Sequence, residues 1–196
     1  MKCYIILYDN FETLDALGPA EIFGKIPEEF ELIFCSEKGG IIKSTQGVEV
    51  LTQPFPQQIG SDEIILIPGG AGAIELASDI AFIDELRRLS LNAKYVLCVC
   101  TGSALLAKTD LLNNKNATSN KRSFEWVVAQ NENVNWIRAA RWVVDDKYYT
   151  SSGVSAGMDM SFGFISDIIG EEKATAIAKR IEYIWNRDKN NDPFAN

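Results

Sequence analysis

The sequence contains no histidine among its 196 residues and has 4 cysteines. The missing histidine excludes any mechanism in which an imidazole activates a thiol. A zinc site is not expected either, because the chain has neither histidine ligands nor a repeated C-x-x-C pair. Basic residues are also scarce: 19 against 27 acidic ones give a formal charge of −8. Phosphates need a basic surface, so we expect neither a nucleic-acid nor an anionic-membrane partner.

Long apolar runs are lacking as well, and we expect no leader sequence. No run is long enough to span a bilayer, and the charged N-terminus 1–9 has no small-residue cleavage site. We therefore expect a cytoplasmic protein with reduced thiols rather than disulfides. The sequence shows no internal repeat and no interdomain linker, and 46% of its residues are hydrophobic. It predicts one domain, residues 1–196, with a substantial core.

What is present is an alternation of apolar strands and helical segments. Glu63–Ile67 and Tyr95–Val99 are near-continuous apolar runs, which are typical of buried parallel strands. The alternation predicts an α/β fold with a mostly parallel sheet and helices on both faces. A hairpin is expected around Gln46-Gly47.

Three local predictions depend on single residues or short patterns. Pro19 favours the first turn of a helix, so the first helix is expected to begin near it rather than at Thr13. Trp136–Val144 is predicted to be one strand, and the polar tail 186–196 to be extended. For Lys121-Arg122, a solvated surface pair is favoured over an anion-binding site.

The stretch VLCVCTGSALLA, residues 96–107, contains the strongest candidate for chemistry. Cys100 ends an apolar strand and Thr101-Gly102 opens a helix, the arrangement of a nucleophile elbow. A helix N-terminus there lowers a thiol pKa. The alternative is a small apolar filler, which fits Cys98, Cys3 and Cys35 better than Cys100.

A glycine-rich turn, Pro68-Gly69-Gly70-Ala71-Gly72, follows the preceding strand and is expected at the same sheet edge. Backbone amides of such a turn, together with that of Thr101, suit an oxyanion hole. A phosphate cradle is the competing interpretation, but the turn lacks the lysine and Ser/Thr of a P-loop.

Two further segments leave alternatives open. Asp15 lies among apolar residues after the first strand, which suits a proton carrier with a raised pKa, but the residues alone favour a helix cap. The small residues of Thr150–Asp159, including Gly153, suit either a ligand site or close packing of a helix on the sheet.

Taken together, LDALGPAEIF, IPGGAG, VCTGSALLAKTDLL and TSSGVSAGMD resemble the ThiJ/PfpI superfamily, relatives of class I glutamine amidotransferases, over nearly the whole chain. The isocyanide hydratase branch is the most similar. The same motifs resemble sensor domains of AraC-like regulators, but we expect no helix-turn-helix domain in this chain.

The resemblance implies a flavodoxin-like three-layer sandwich, usually a homodimer, that acts on a small molecule without a cofactor or metal. It places the nucleophile at Cys100, an acidic catalytic residue at Asp15 and a supporting residue at Thr101. The amides of Gly70 and Thr101 would form the anion pocket, and Ala71 and Gly153 complete the predicted binding residues.

Two departures narrow this expectation. Protease and amidotransferase relatives place a histidine beside the cysteine, where this chain has Thr101. The hydratase branch often reads ATTHW after the elbow helix, where this chain reads ATSNKR; this stretch and the closing NDPFA resemble a subgroup of unknown substrate.

The leading hypothesis is therefore a hydratase of an isocyanide or a similar electrophile, which forms a covalent Cys100 adduct and uses Asp15 for proton transfer. A glyoxalase acting on 2-oxoaldehydes is an alternative, with Glu12 and Glu21 as the nearby glutamates. A non-enzymatic redox sensor or ligand-binding protein is a third, because an exposed thiol of low pKa oxidises readily.

Overall fold

A computed structural model describes residues 1–195; Asn196, the last residue of the predicted tail and domain, lies outside the described residues. An eight-stranded sheet forms its centre. In chain order its strands are β1 Lys2–Ile6, β2 Glu31–Ser36, β3 Lys38–Lys43, β4 Glu49–Pro54, β5 Ile64–Ile67, β6 Tyr95–Cys98, β9 Trp142–Asp145 and β10 Tyr148–Ser151. They lie side by side in the order β3-β4-β2-β1-β5-β6-β10-β9. A separate small sheet pairs β7 Asn116–Ala117 with β8 Asn135–Trp136.

Seven helices surround the sheet among the described residues. They are α1 Thr13–Phe23, α2 Gly72–Leu76, α3 Ile80–Asn92, α4 Gly102–Lys108, α5 Phe124–Val128, α6 Ser155–Ile168 and α7 Glu171–Arg180. Helices α1 and α7 pack on α6, while α2 and α3 pack on α4. The result is the predicted flavodoxin-like α/β sandwich, with helices on both faces of the sheet.

The central strands of the sheet are parallel and largely buried. The central strands β2, β1, β5, β6 and β10 are parallel, and every residue of β5 is buried, as expected for a strand covered on both faces. The hairpin predicted around Gln46-Gly47 is confirmed by the antiparallel pair β3–β4. Because β5 and β6 are adjacent and parallel, their carboxyl ends share one edge of the sheet.

The first helix begins at Thr13 and not near Pro19, so that prediction is wrong. Pro19 lies inside α1, where it has no N–H to donate to the preceding turn. Packing outweighs this cost: a side chain at Gly18 would come within 2.9 Å of Met158 Cγ, so glycine lets α1 approach α6 closely.

Other predicted elements are shorter than expected. Residues 137–141 interrupt the predicted strand Trp136–Val144, because Trp136 pairs with β7 while Trp142 pairs with β10. The tail is not simply extended, since the chain turns at 189–190 and again at 193–194. No helix in residues 1–195 has both the length and the apolar character needed to cross a membrane.

Candidate active site

Cys100 occupies a strained turn between β6 and α4. Its φ is 58°, a left-handed conformation that non-glycine residues rarely adopt. The turn is held by hydrogen bonds to the Cys100 backbone. The Cys100 N–H donates to Ser152 O at 3.1 Å, and the Cys100 carbonyl accepts from Ser119 Oγ at 2.8 Å and Ser103 Oγ at 3.0 Å. The geometry is that of a nucleophile elbow.

The surroundings of the thiol act on its pKa in two directions. Burial and the negative charge of Asp15 raise the pKa of Cys100 well above its ordinary value. The backbone amides of Thr101 and Val154 and the side chain of Asn120 oppose this effect, because they stabilise the thiolate through hydrogen bonds. The predicted lowering of the thiol pKa is therefore wrong as a net effect: only 7% of Cys100 is exposed, and the desolvation dominates.

Asp15 lies directly beside the thiol on α1. It is fully buried, its Oδ2 accepts a hydrogen bond from the Gly69 N–H at 3.0 Å, and its Oδ1 has no hydrogen-bond partner among the described residues. Burial raises the pKa of Asp15 to about 7; the bonds from Gly69 and Cys100 oppose the shift, and Glu12 adds to it. The carboxyl group thus titrates near neutrality and acts electrostatically on the neighbouring thiol.

The glycine-rich turn has a different arrangement from the one expected. The amide in contact with Asp15 belongs to Gly69, whereas the Gly70 N–H donates to Thr101 Oγ1 at 3.0 Å. Gly70 has a φ of 137°, and a Cβ there would lie 2.4 Å from Asn10 O. Substrate binding by the Gly70 amide stays a prediction, and in this structure the amide holds Thr101 in place.

The remaining predicted residues lie at the margin of the site. Ala71 is exposed at the start of α2, and Gly153 is half-buried just before α6. A Cβ on Gly153 would lie 2.4 Å from Asn120 Nδ2, so this glycine makes room for the Asn120 amide. Gly157, in the same segment, has its missing side chain 2.5 Å from Val99 Cγ1, which indicates close packing.

Two donors to the sulfur, Asn120 and Val154, are not apparent from the sequence. Val154 has a φ of 32° and a ψ of −87°, a strained conformation for a β-branched residue. Its position in the small-residue segment Thr150–Asp159 was a usable signal. Asn120 stood in a stretch that departs from the resembled branch, and only the fold brings it to Cys100.

The described residues hold no group of three or more acidic or cysteine side chains placed to bind a metal ion. The other three cysteines are fully buried in strands, as the filler interpretation expects. Burial raises the pKa of Cys3 and Cys35 to about 12. Cys100 is thus the single cysteine in residues 1–195 that lies in a turn just past the end of a strand, with amide donors around it.

The fold and this elbow define a flavodoxin-like α/β protein with a cysteine at the carboxyl edge of its sheet. Comparison with known families makes the class specific: the profile of the DJ-1/PfpI family matches residues 1–167. The chain belongs to the DJ-1/PfpI family.

Individual relatives are distant. Isonitrile hydratase from Pseudomonas putida is 26% identical over 182 residues, which cover 91% of this chain and 76% of that protein. General stress protein 18 from Bacillus subtilis (strain 168) is 29% identical over 120 residues, 60% of this chain and 69% of that protein.

Solved structures agree in fold. A ThiJ/PfpI family protein from Pseudomonas syringae has a TM-score of 0.77 at 22% identity, covering 93% of this chain and 74% of that one. Drosophila melanogaster DJ-1beta has a TM-score of 0.79 at 18% identity, covering 94% of this chain and 98% of that one.

Proposed function

We propose that this protein is a cofactor-independent cysteine enzyme that hydrates a small electrophile, with an isocyanide as substrate and an N-formamide as product. The observation that carries the proposal is the pair formed by the Cys100 thiol and the buried Asp15 carboxyl, whose pKa is about 7. Similarity to isonitrile hydratase over most of the chain supports the choice of substrate.

The first half of the reaction forms the covalent adduct. Asp15 takes the thiol proton, the Cys100 sulfur attacks the terminal carbon of R–N≡C, and Asp15 returns the proton to that carbon. One C–S bond and one C–H bond form, which gives the thioimidate R–N=CH–S–Cys. The Thr101 and Val154 amides and Asn120 stabilise the sulfur while it is charged.

The second half releases the product. Asp15 takes a proton from water while the oxygen attacks the thioimidate carbon, and it passes that proton to the nitrogen, which gives R–NH–CH(OH)–S–Cys. The C–S bond then breaks as the hydroxyl group gives its proton to the Asp15–Cys100 pair, and the product R–NH–CHO leaves. Only 7% of Cys100 is exposed, so the site favours a narrow electrophile such as an isocyanide.

The two alternatives fit the geometry less well. The Glu12 carboxylate accepts hydrogen bonds from Gln46 Nε2 at 2.9 and 3.0 Å, and Glu21 pairs with Lys25. Neither is thus arranged as the acid of a glyoxalase. A redox sensor calls for an exposed thiol of low pKa, whereas Cys100 is buried and its pKa is raised.

The proposal is tested by incubating the protein with an aliphatic isocyanide and following the formamide proton by NMR. We expect turnover in the wild type, its loss in Cys100→Ala, and its retention in the matched control Cys98→Ala. Methylglyoxal serves as the competing substrate. Conversion of methylglyoxal with no isocyanide turnover would replace the hydratase by the glyoxalase, and full activity in Cys100→Ala would refute the mechanism.

The homodimer implied by the resemblance stays a prediction. Light scattering coupled to size-exclusion chromatography measures it directly, with an expected mass of twice the 21.8 kDa chain.

A further inference from the structure

The segment 118–121 and the C-terminal tail, of which only Asn120 has a role in the proposed reaction, meet beside the active site. Asp192, in the C-terminal tail, has a side chain with no exposed area, and its N–H donates to Ala139 O at 2.7 Å. Its carboxylate lies 3.9 Å from Lys121 Nζ and 3.6 Å from Arg141 Nη1. The tail is therefore anchored by one buried acid between two buried cations.

Lys121 is not the solvated residue that the sequence favours, whereas its neighbour Arg122 is exposed. Only 6% of the Lys121 side chain is exposed, and its ammonium donates to Thr118 Oγ1 at 2.8 Å, Ala140 O at 2.7 Å and Ser119 O at 3.2 Å. Burial lowers the pKa of Lys121 to about 8, and the negative charge of Asp192 opposes that shift. The ammonium ties the segment 118–121 to residue 140.

Asn120 is adjacent to this anchored lysine. Its Oδ1 accepts from the Ser123 N–H at 3.0 Å, which orients the amide, and its Nδ2 occupies the space left by the missing side chain of Gly153. From there the amide contacts the Cys100 sulfur. Whatever fixes Lys121 therefore fixes one of the donors to the sulfur.

Arg141 contacts the segment that carries another donor to the sulfur, Val154. Its Nε bonds to Asp159 Oδ2 at 2.6 Å, and its Nη2 bonds to Ser155 Oγ at 3.3 Å, next to the Val154 amide that contacts the sulfur. Its carbonyl accepts from the Ser152 N–H at 2.8 Å, and Ser152 O accepts from the Cys100 N–H. Arg141 thus braces the segment that carries Val154.

We propose that Asp192 is a positioning residue for Cys100: by holding Lys121 and Arg141 together, the tail keeps Asn120 and Val154 on the sulfur. The inference deepens the proposed function, on which it rests only in taking Cys100 as the nucleophile. Asp192 acts through these neighbours and is not itself a catalytic residue.

The test is the pH profile of Cys100 alkylation by iodoacetamide, quantified by mass spectrometry of the peptide that contains Cys100. Asp192→Asn is compared with Asp188→Asn, an exposed acid of the same tail. We expect Asp192→Asn to move the profile to higher pH, which makes alkylation about three- to tenfold slower on its rising limb. Asp188→Asn should leave the profile in place.

The direction of this shift separates positioning from charge. Removing a carboxylate, with no change of position, lowers a nearby thiol pKa and moves the profile to lower pH. Asp15, the acid in contact with the thiol, is the same in both variants. A profile for Asp192→Asn that is unchanged or moved to lower pH would therefore overturn the proposal.

Coupling gives a second criterion. If Asp192 acts mainly through Asn120, adding Asp192→Asn to Asn120→Ala should slow alkylation by less than it does in the wild type. Fully additive effects contradict the proposal.

Circular dichroism checks that each variant is folded. Should Asp192→Asn not fold, Lys121→Gln breaks the same ion pair from its other end. The shift of the alkylation profile that Lys121→Gln causes should be smaller in the Asn120→Ala background. A shift of the same size in both backgrounds would contradict the positioning role. No assay in this set uses an isocyanide, so absence of isocyanide turnover would refute the proposed function without deciding the role of Asp192.

Discussion

The chemistry of the site depends on one shared proton between two residues. With the pKa of Asp15 near 7 and that of Cys100 raised, the pair holds two protons below about pH 7 and one proton above it. Only the one-proton form lets the carboxylate accept the thiol proton. We therefore expect kcat/KM for isocyanide hydration to rise with pH through about 7.

Asp15→Asn removes this proton acceptor. We expect its kcat to fall by about 10²–10⁴-fold, the usual contribution of general acid–base catalysis, and the rise near neutrality to disappear. Steady-state kinetics from pH 5 to 9 measure both effects. A variant that keeps the wild-type profile would show that another group carries the proton.

Gly70 offers a second test at the scale of one residue. Alanine there must adopt a φ of 137° and would place its Cβ 2.4 Å from Asn10 O. Gly170 is the matched control, because its φ is 132° but a Cβ would meet no atom within 4 Å.

We expect Gly170→Ala to lower the free energy of unfolding by about 1–3 kcal/mol, the cost of the backbone conformation alone. Gly70→Ala adds the clash with Asn10 O and should lower the free energy of unfolding by more than Gly170→Ala does. Urea denaturation of both variants measures the difference, and equal losses would mean that the loop after β1 yields at no cost.

The sequence predicts the roles of these residues unevenly. Cys100 and the Thr101 amide were singled out because a strand end marks them locally, whereas Asp15 was assigned a catalytic role only by the family resemblance. Asn120 and Asp192 were not assigned, because their relation to the thiol depends on a loop and a tail brought together from distant parts of the chain. The sign of the Cys100 pKa shift was missed for a similar reason, since burial depends on the whole fold.

Among the elements, helix α6 determines how the elbow is built. Its Gly157 lies against Val99, the residue before Cys100, and a Cβ there would come 2.5 Å from Val99 Cγ1. Gly18 of α1 makes the comparable contact with α6, where a Cβ would meet Met158 Cγ at 2.9 Å. Valine is stiff at χ1, whereas methionine adapts to a new neighbour.

We therefore expect Gly157→Ala to cost about 1–3 kcal/mol of unfolding free energy through overpacking. Gly18→Ala should cost clearly less. Gly157→Ala should also slow alkylation of Cys100, because Val99 and α6 support the thiol and the Val154 amide. Denaturation and alkylation of the two variants check this, and a larger loss in Gly18→Ala would contradict the argument.

Elements with a strong apolar pattern were predictable, and those decided by packing were not. The buried strands β5 and β6 and the hairpin β3–β4 follow directly from apolar runs and turn residues. The start of α1 and the interruption at 137–141 do not, because contact with α6 and pairing with β7 override the local preference of the chain.

At the scale of the whole molecule, Asp15 makes stability depend on pH. Its pKa rises from an ordinary value of 3.8 to about 7 on folding, so between these values the folded state binds more protons than the unfolded state. Stability from this group is therefore present in acid and is lost as the pH rises toward 7, by up to about 4 kcal/mol.

The Asp15→Asn variant has no titrating group at this position. The unfolding free energy of this variant minus that of the wild type should thus increase from pH 4 to 7 and then level off. Asp84→Asn, an exposed acid on α3, is the control and should give a flat difference. A flat difference for Asp15→Asn too would mean that the carboxyl group is solvated in the folded protein, which would remove the physical basis for proton transfer at neutral pH.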